Sequence, residues 1–223
     1  MDDLLKQLAL CIERGKASKE APYPPDMKGQ DGASELTQQA LAASISPNDI
    51  LHKALMVGMN NIGEKFSRGE AFIPELLISA KAMKAAMEHL KPYFDSGVAQ
   101  HKGTIVLGTV AGDLHDIGKN IVRMVLEGAG WQVIDLGVDA STEKFVQAVD
   151  QDPTRIVGLS ALLTTTMVNM EDTVKQIKQK YPQAQIYIGG APVSKEFNDK
   201  IGADGYFPDP HSFAKHLTAQ ASK

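Results

Sequence analysis

The residues best placed to do chemistry are Gly112-Asp113-Leu114-His115-Asp116-Ile117-Gly118. A histidine stands there with a carboxylate two positions before it and a glycine three positions after it. A neutral imidazole can ligate a metal, and a neighbouring carboxylate is the usual partner that fixes its tautomer. The run Thr104-Ile105-Val106-Leu107-Gly108-Thr109 before the loop reads as a buried strand. Ile117, Ile121, Val122, Val125 and Leu126 after it repeat at helical spacing. His115 is thus expected at the carboxyl end of a strand, where open α/β sheets bind their ligands.

Two further stretches have the same placement. Gly158-Leu159-Ser160-Ala161-Leu162-Leu163-Thr164-Thr165-Thr166 ends one strand in a hydroxyl-rich loop, and Gly189-Gly190-Ala191-Pro192 ends another. Paired glycines let a ligand pass close to the backbone. Each stretch alone has a plain structural explanation, a helix cap or a turn. Their shared position at strand ends is what joins them.

The elements that must position these loops fall into two parts that meet near residue 97. Before it the chain reads as helices only: residues 2–14, about 34–44, a third opened by Ser46-Pro47-Asn48-Asp49, and a fourth opened by Pro74 and stopped near Pro92. Ser46 can cap and Pro47 suits a first turn. The fourth helix places Leu76, Leu77, Ala80, Met83, Met87 and Leu90 on its apolar side. Gly58 and Gly63 interrupt the third, either for tight packing or for close approach of a ligand. Residues 16–31, with Ala21-Pro22-Tyr23-Pro24-Pro25, read as an extended connection. Four helices with short links imply a bundle. After residue 97, strands at 104–109, 132–136, 156–160, 185–188 and 205–207 alternate with helices at 117–128, 141–149, 167–180, 194–201 and 211–219. That alternation calls for a parallel sheet in the order 2-1-3-4-5. The fold class is therefore α plus α/β: a helical bundle over 1–97, then a five-stranded flavodoxin-like, Rossmann-like domain over 98–223. The order brings the His115 loop beside the Ser160 loop.

The bulk composition excludes several classes. The chain has 223 residues with a formal net charge of −4, and its basic residues are not clustered. Neither a nucleic-acid nor a membrane partner is expected. There is one cysteine, Cys11, so no internal disulfide forms. Cys11 lies in a helical apolar stripe and is expected to be a packed thiol. No segment has the layout of a signal peptide or a membrane span, and a cytoplasmic protein is expected. A zinc site would want three or four ligands, whereas the loops offer only His115, Asp113 and Asp116. No nucleophile elbow, Walker-type phosphate loop or G-x-G-x-x-G is present. One histidine backed by one carboxylate suits a metal already held by a macrocycle.

The three-part spacing resembles a known signature. Asp113-x-His115-x-x-Gly118, then Ser160-Ala161-Leu162, then Gly189-Gly190 is similar to the motif of cobalamin-binding domains. It resembles the cobalamin module of methionine synthase and the small corrinoid proteins of methyltransferase systems. Gly58-Met59-Asn60-Asn61-Ile62-Gly63-Glu64-Lys65-Phe66 and Gly69-Glu70-Ala71-Phe72-Ile73-Pro74-Glu75-Leu76 resemble the helical cap that precedes this domain.

The resemblance implies cobalamin, as methylcobalamin and cob(I)alamin, bound base-off with His115 as lower axial ligand to cobalt. Asp113 would accept from the other ring nitrogen, and Thr166 would complete the relay where the family places a serine. Gly112, Leu114 and Asp116 would complete the ligand loop. Ser160, Leu162 and Thr164 would line the channel for the nucleotide tail, with Gly189, Gly190 and Ala191 as its other wall and Gly118 close by. Met59, Phe66, Ile73 and Leu76 would cover the upper face of the corrin. His52 stands where methionine synthase carries a carboxylate.

The function implied is that of a methyl carrier with no complete reaction of its own. It would serve a substrate-specific methyltransferase, a second methyltransferase to a tetrahydrofolate-like acceptor, and a reductive activator of the corrinoid. A mobile linker around 93–103 would let the cap move aside. Alternatives are the cobalamin subunit of an adenosylcobalamin mutase, which lacks this bundle, and a cobalamin-responsive regulator, which would want a basic recognition helix.

Overall fold

The computed structural model describes residues 2–97 and 100–221. The chain divides into two compact units, a helical one of Met1–His101 with Glu127–Gly130 and an α/β one of Lys102–Leu126 with Trp131–Lys223. Within the expected linker, Val98 and Ala99 lie outside the described residues. Ser96 and Gly97 turn the chain, and the rings of Phe94 and His101 stack with centroids 4.5 Å apart.

In the helical unit α1 (Asp2–Arg14) is followed by a short 3-10 turn (Pro25–Met27) and α2 (Ala33–Ala42). A continuous rod then comprises α3 (Pro47–Ile50), a π-helical turn (Leu51–Leu55) and α4 (Met56–Ser67), and α5 (Ile73–Asp95) completes the unit. Ser46 caps α3 as its position predicts, its Oγ accepting the Asp49 N–H at 3.0 Å. Gly58 serves packing. A Cβ there would run into the Ala9 carbonyl oxygen and lie 2.6 Å from Ile12 Cβ, so α1 and α4 cross backbone to backbone. The core side chains Leu8, Ile12, Ile50, Leu51, Leu55 and Leu90 are fully buried, each such burial stabilising by roughly 1.5–3 kcal/mol.

Three expectations are corrected here. α5 runs through Pro92 to Asp95, because proline removes one N–H but its φ suits a helix, and near the terminus the loss is small. Leu77 is exposed, not on the buried side of α5. Residues 16–31 are not a free extended link. Lys16 is wholly buried, and its Nζ donates to Ala21 O at 2.8 Å, while Lys16 O and Ala17 O accept from Ala33 N–H and Ser34 N–H at 2.8 and 3.0 Å. The Lys19 N–H donates to Glu35 Oε2 at 3.0 Å, so the excursion is pinned to the start of α2.

The α/β unit is a five-stranded parallel sheet in the order β2-β1-β3-β4-β5. Its strands are β1 (Thr104–Thr109), β2 (Gln132–Asp135), β3 (Ile156–Ser160), β4 (Ile186–Gly189) and β5 (Gly205–Tyr206). The connecting helices are α6 (Ile117–Gly128), α7 (Thr142–Gln151), α8 (Met167–Lys180) and α9 (Lys195–Ile201), with α10 (Pro210–Ala221) last. β1 and β3 are apolar runs buried on both faces, as central parallel strands require. Val106, Val157, Leu159, Ile186 and Ile188 pack with Phe145, Met170, Val174 and Ile177. On α6, Ile121, Val125 and Leu126 are buried, but Ile117 is 71% exposed. The expected stripe is broken at its first member because Ile117 opens α6 directly after the loop that follows β1, outside the helix's buried face. No helix among the described residues is long and apolar enough to cross a membrane.

Candidate functional site

Sheet register sets the site. Thr109, Ser160 and Gly189, the last residues of β1, β3 and β4, lie side by side. The three motif segments therefore leave the sheet from one line at its carboxyl edge.

The loop after β1 carries Asp113, which is completely buried, and His115, whose side chain is 51% exposed. Asp113 Oδ1 lies 2.7 Å from His115 Nδ1 and accepts the His115 N–H at 3.1 Å. Asp113 Oδ2 accepts the backbone N–H of Leu162 at 2.7 Å and of Leu163 at 3.2 Å, and the Thr166 hydroxyl at 2.9 Å. Loops some fifty residues apart in sequence thus meet on one carboxylate, as the strand order predicts. Burial by itself would push the Asp113 carboxyl up. The donors from Leu162, His115 and Thr166 outweigh it and hold the group well below the usual carboxylate range. An ionised carboxylate only accepts, so His115 Nδ1–H donates to it and Nε2 is the ring nitrogen turned away from Asp113.

The loop is fixed on every side. Thr109 Oγ1, buried, donates to His115 O at 2.9 Å. Asn169 Nδ2 donates to Ala111 O at 2.7 Å, and Asp139 Oδ1 accepts the Gly112 N–H at 2.7 Å. Gly112 has φ +80°, a conformation that favours glycine. Just beyond His115, Lys119 is 2% exposed and its Nζ lies 2.7 Å from both oxygens of Asp135, which Arg123 also reaches at 3.1 Å. Burial raises the Asp135 carboxyl, but the Lys119 ammonium and Gly137 N–H bring it below its ordinary value. This clamp ties the first turn of α6 to the end of β2.

The other expected residues are placed as follows. Leu114 is 72% exposed, and Leu162, Leu163 and Val168, in the segment that follows β3, are also exposed. Asp116 is exposed and accepts from Asn120 Nδ2 at 3.0 Å. Gly118 faces open space. Ser160 is half-buried, Thr164 exposed and Thr166 buried in a 3-10 turn (Thr164–Thr166). A Cβ on Gly190, where φ is +128°, would overlap the Ala161 carbonyl oxygen. That glycine therefore serves close approach of the β3 and β4 loops, and Ala191 beyond it is exposed. In the helical unit Met59 and Leu76 are buried, Phe66 is half-buried and Ile73 is exposed.

Sequence reasoning missed Asp139, Asn169, Lys119 and Asp135. One signal pointed to the first: β2 neighbours β1, so the loop after β2 must run beside the loop that carries His115.

The donor set bears on what the site can hold. Among the described residues no group of three or more His, Cys, Asp or Glu could cage a bare metal ion. A single half-exposed imidazole, held through Nδ1 by a buried carboxylate, fits a metal whose in-plane ligands come from a macrocycle.

Comparison with known proteins agrees. Family models of the B12 binding domain match residues 103–212 and 30–91. Trimethylamine corrinoid protein 2 of Methanosarcina mazei is 42% identical over 178 residues, which cover 78% of this chain and 82% of that protein. The crystal structure of the methanol:cobalamin methyltransferase complex from Methanosarcina barkeri superposes with a TM-score of 0.81 at 30% identity, covering 99% of this chain and 80% of that one. A cobalamin-binding protein from Desulfitobacterium hafniense DCB-2 gives a TM-score of 0.71 at 33% identity, covering 83% and 89%. The chain belongs to the B12-binding corrinoid proteins of methyltransferase systems, and cobalamin is its cofactor.

Proposed function

We propose that this protein is a methyl carrier that presents cobalamin to two methyltransferases in turn, with His115 Nε2 as the lower ligand in place of the cofactor's own base. The observation that carries this reading is the Asp113–His115 pair, a buried acceptor fixing a half-exposed imidazole so that Nε2 faces outward. Bound cobalamin supplies a cobalt centre that accepts a methyl group from one partner and yields it to another.

The residues of this chain do the rest. Asp113 orients the ring through its bond to Nδ1. Its other oxygen is already taken up by Leu162 N–H, Leu163 N–H and Thr166 Oγ1. Nε2 is thereby left as the nitrogen that a metal would use. Gly112, Leu114, Asp116 and Gly118 shape the ligand loop. Ser160, Leu162, Thr164, Gly189, Gly190 and Ala191 would form the walls of a channel for the nucleotide tail.

We assign 1–97 as a cap, with Met59, Phe66, Ile73 and Leu76 as its cofactor-side residues, and 98–223 as the cobalamin-binding domain. Similarity to proteins named for trimethylamine and methanol systems supports a methylamine- or methanol-class donor. A tetrahydrofolate-like acceptor, a reductive activator among the partners and a cytoplasmic site of action complete the proposal. The test is methyl transfer with purified, cobalamin-loaded protein and the methyltransferases encoded beside its gene. Loading by one of them and unloading by another is expected. A protein that no neighbouring methyltransferase can load would overturn the reading.

A further inference from the structure

Asp139 lies in the loop between β2 and α7 and has φ +50°; Ser44 is the other non-glycine residue with positive φ among the described residues. A side chain in this region is uncommon, and glycine would adopt it freely. If conformation were all that mattered, glycine would be the unstrained choice. The aspartate does something glycine cannot: its Oδ1 accepts the Gly112 N–H at 2.7 Å, while its own N–H donates to Asp113 O at 3.0 Å. One residue thus grips the Gly112–Asp113 segment at both ends.

The neighbouring backbone holds Asp139 in turn. Ala140 N–H donates to Thr109 O at 2.9 Å, and Val110 and Ala140 form an isolated parallel bridge. On the opposite side of the turn, Asn169 Nδ2 binds Ala111 O. The backbone at Gly112–Asp113 determines where the buried Asp113 carboxylate sits, and that carboxylate determines where the His115 ring sits through the 2.7 Å bond to Nδ1. A shift of a few tenths of an ångström at Gly112 therefore passes to Nε2.

We infer that Asp139 is a positioning residue for His115, setting the imidazole for axial coordination through Gly112 and Asp113. The inference rests on the reading of His115 as the lower ligand.

Two variants separate the hydrogen bond from the backbone conformation. Asp139→Gly keeps the left-handed conformation without strain and removes the acceptor, and Asp139→Asn keeps both the conformation and an acceptor oxygen. The full chain, loaded with cobalamin and reduced to Co(II), is read by electron paramagnetic resonance for splitting by a protein nitrogen. Gly112 amide exchange is read by NMR in the cofactor-free chain. Asp139→Gly is expected to speed Gly112 exchange about tenfold, the effect of losing one hydrogen bond, and to lower the histidine-on to histidine-off ratio by a similar factor. Its melting temperature stays near wild type, and Asp139→Asn behaves as wild type in both readouts.

Wild-type splitting that persists unchanged in Asp139→Gly would overturn the role of Asp139 alone, as would unchanged Gly112 exchange. A wild-type chain with no splitting from a protein nitrogen would overturn the ligand reading and the positioning role together, and the wild-type spectrum distinguishes that outcome from the first.

Discussion

Nδ1 of His115 lies 2.7 Å from Oδ1 of Asp113, and the second oxygen of that buried carboxylate is spent on Leu162, Leu163 and Thr166. The bond that orients the imidazole is thus part of the tie between the loops after β1 and β3. The orientation of the imidazole and the tie between the two loops share one residue.

That sharing predicts an acid signature. Asp113 is held below the usual carboxylate range in the folded chain, so the unfolded chain binds more protons as pH falls through the unfolded value. The stability Asp113 contributes is fully present above the unfolded pKa, about 4, and is lost as pH falls toward the depressed folded value. Urea titrations of the cofactor-free protein between pH 5 and pH 2 should show a steeper loss for wild type than for Asp113→Asn. At neutral pH the variant should be less stable by about 2 kcal/mol, since an amide cannot accept from every one of these donors. Parallel pH profiles for the two proteins would contradict this.

Gly58 predicts a reversal of sign. In an ordinary helix interior Gly→Ala stabilises by roughly 1 kcal/mol. Here the new methyl would strike the Ala9 carbonyl oxygen and crowd Ile12. Gly58→Ala should lower the stability of the helical unit by about 2 kcal/mol, measured by thermal or urea unfolding. An increase in stability would show that α1 and α4 do not cross this closely.

Cys11 should be chemically silent in the native chain. Burial pushes its thiol up to about 11, with the nearby Lys16 ammonium opposing the rise only in part. At pH 8 an aromatic disulfide reagent should react about 100-fold more slowly with the folded chain than with the urea-unfolded one, following the thiolate fraction and access. Equal rates would contradict the burial of Cys11.

The Lys119–Asp135 clamp should matter to folding. Lys119 is 2% exposed and lies 2.7 Å from both carboxylate oxygens. Lys119→Ala leaves Asp135 with Arg123 and the Gly137 N–H as partners, so the cost should be about 3 kcal/mol, at the low end for a broken buried pair. A loss under about 0.5 kcal/mol in urea unfolding would show that Arg123 replaces it.

Much of this architecture is written in local patterns. The apolar run 104–109 and the helices 117–128 and 167–180 fall where their periodicity places them, and right-handed crossovers lead to the observed strand order. That order alone was enough to bring Asp113 to Thr166. Other features depend on tertiary contacts without a local signal. The π-helical turn at Leu51–Leu55 adds a residue to a helix whose propensities are ordinary. Ile117 and Leu77 fit helical stripes yet are exposed, because a stripe does not say where the core ends. Asp139 has no local signal, since a left-handed aspartate looks like any loop aspartate, and only the strand order points to its loop. The packing role of Gly190 is likewise without a local signal: its missing Cβ makes room for the Ala161 carbonyl.

The central claim is that the axial nitrogen comes from the protein. It is tested by growing the protein uniformly in nitrogen-15, loading it with unlabelled cobalamin, reducing to Co(II) and recording the electron paramagnetic resonance spectrum. The account predicts doublet splitting from a nitrogen-15 imidazole, absent in His115→Ala. A triplet from nitrogen-14 would mean that the cofactor's own base still holds the cobalt, and would contradict it.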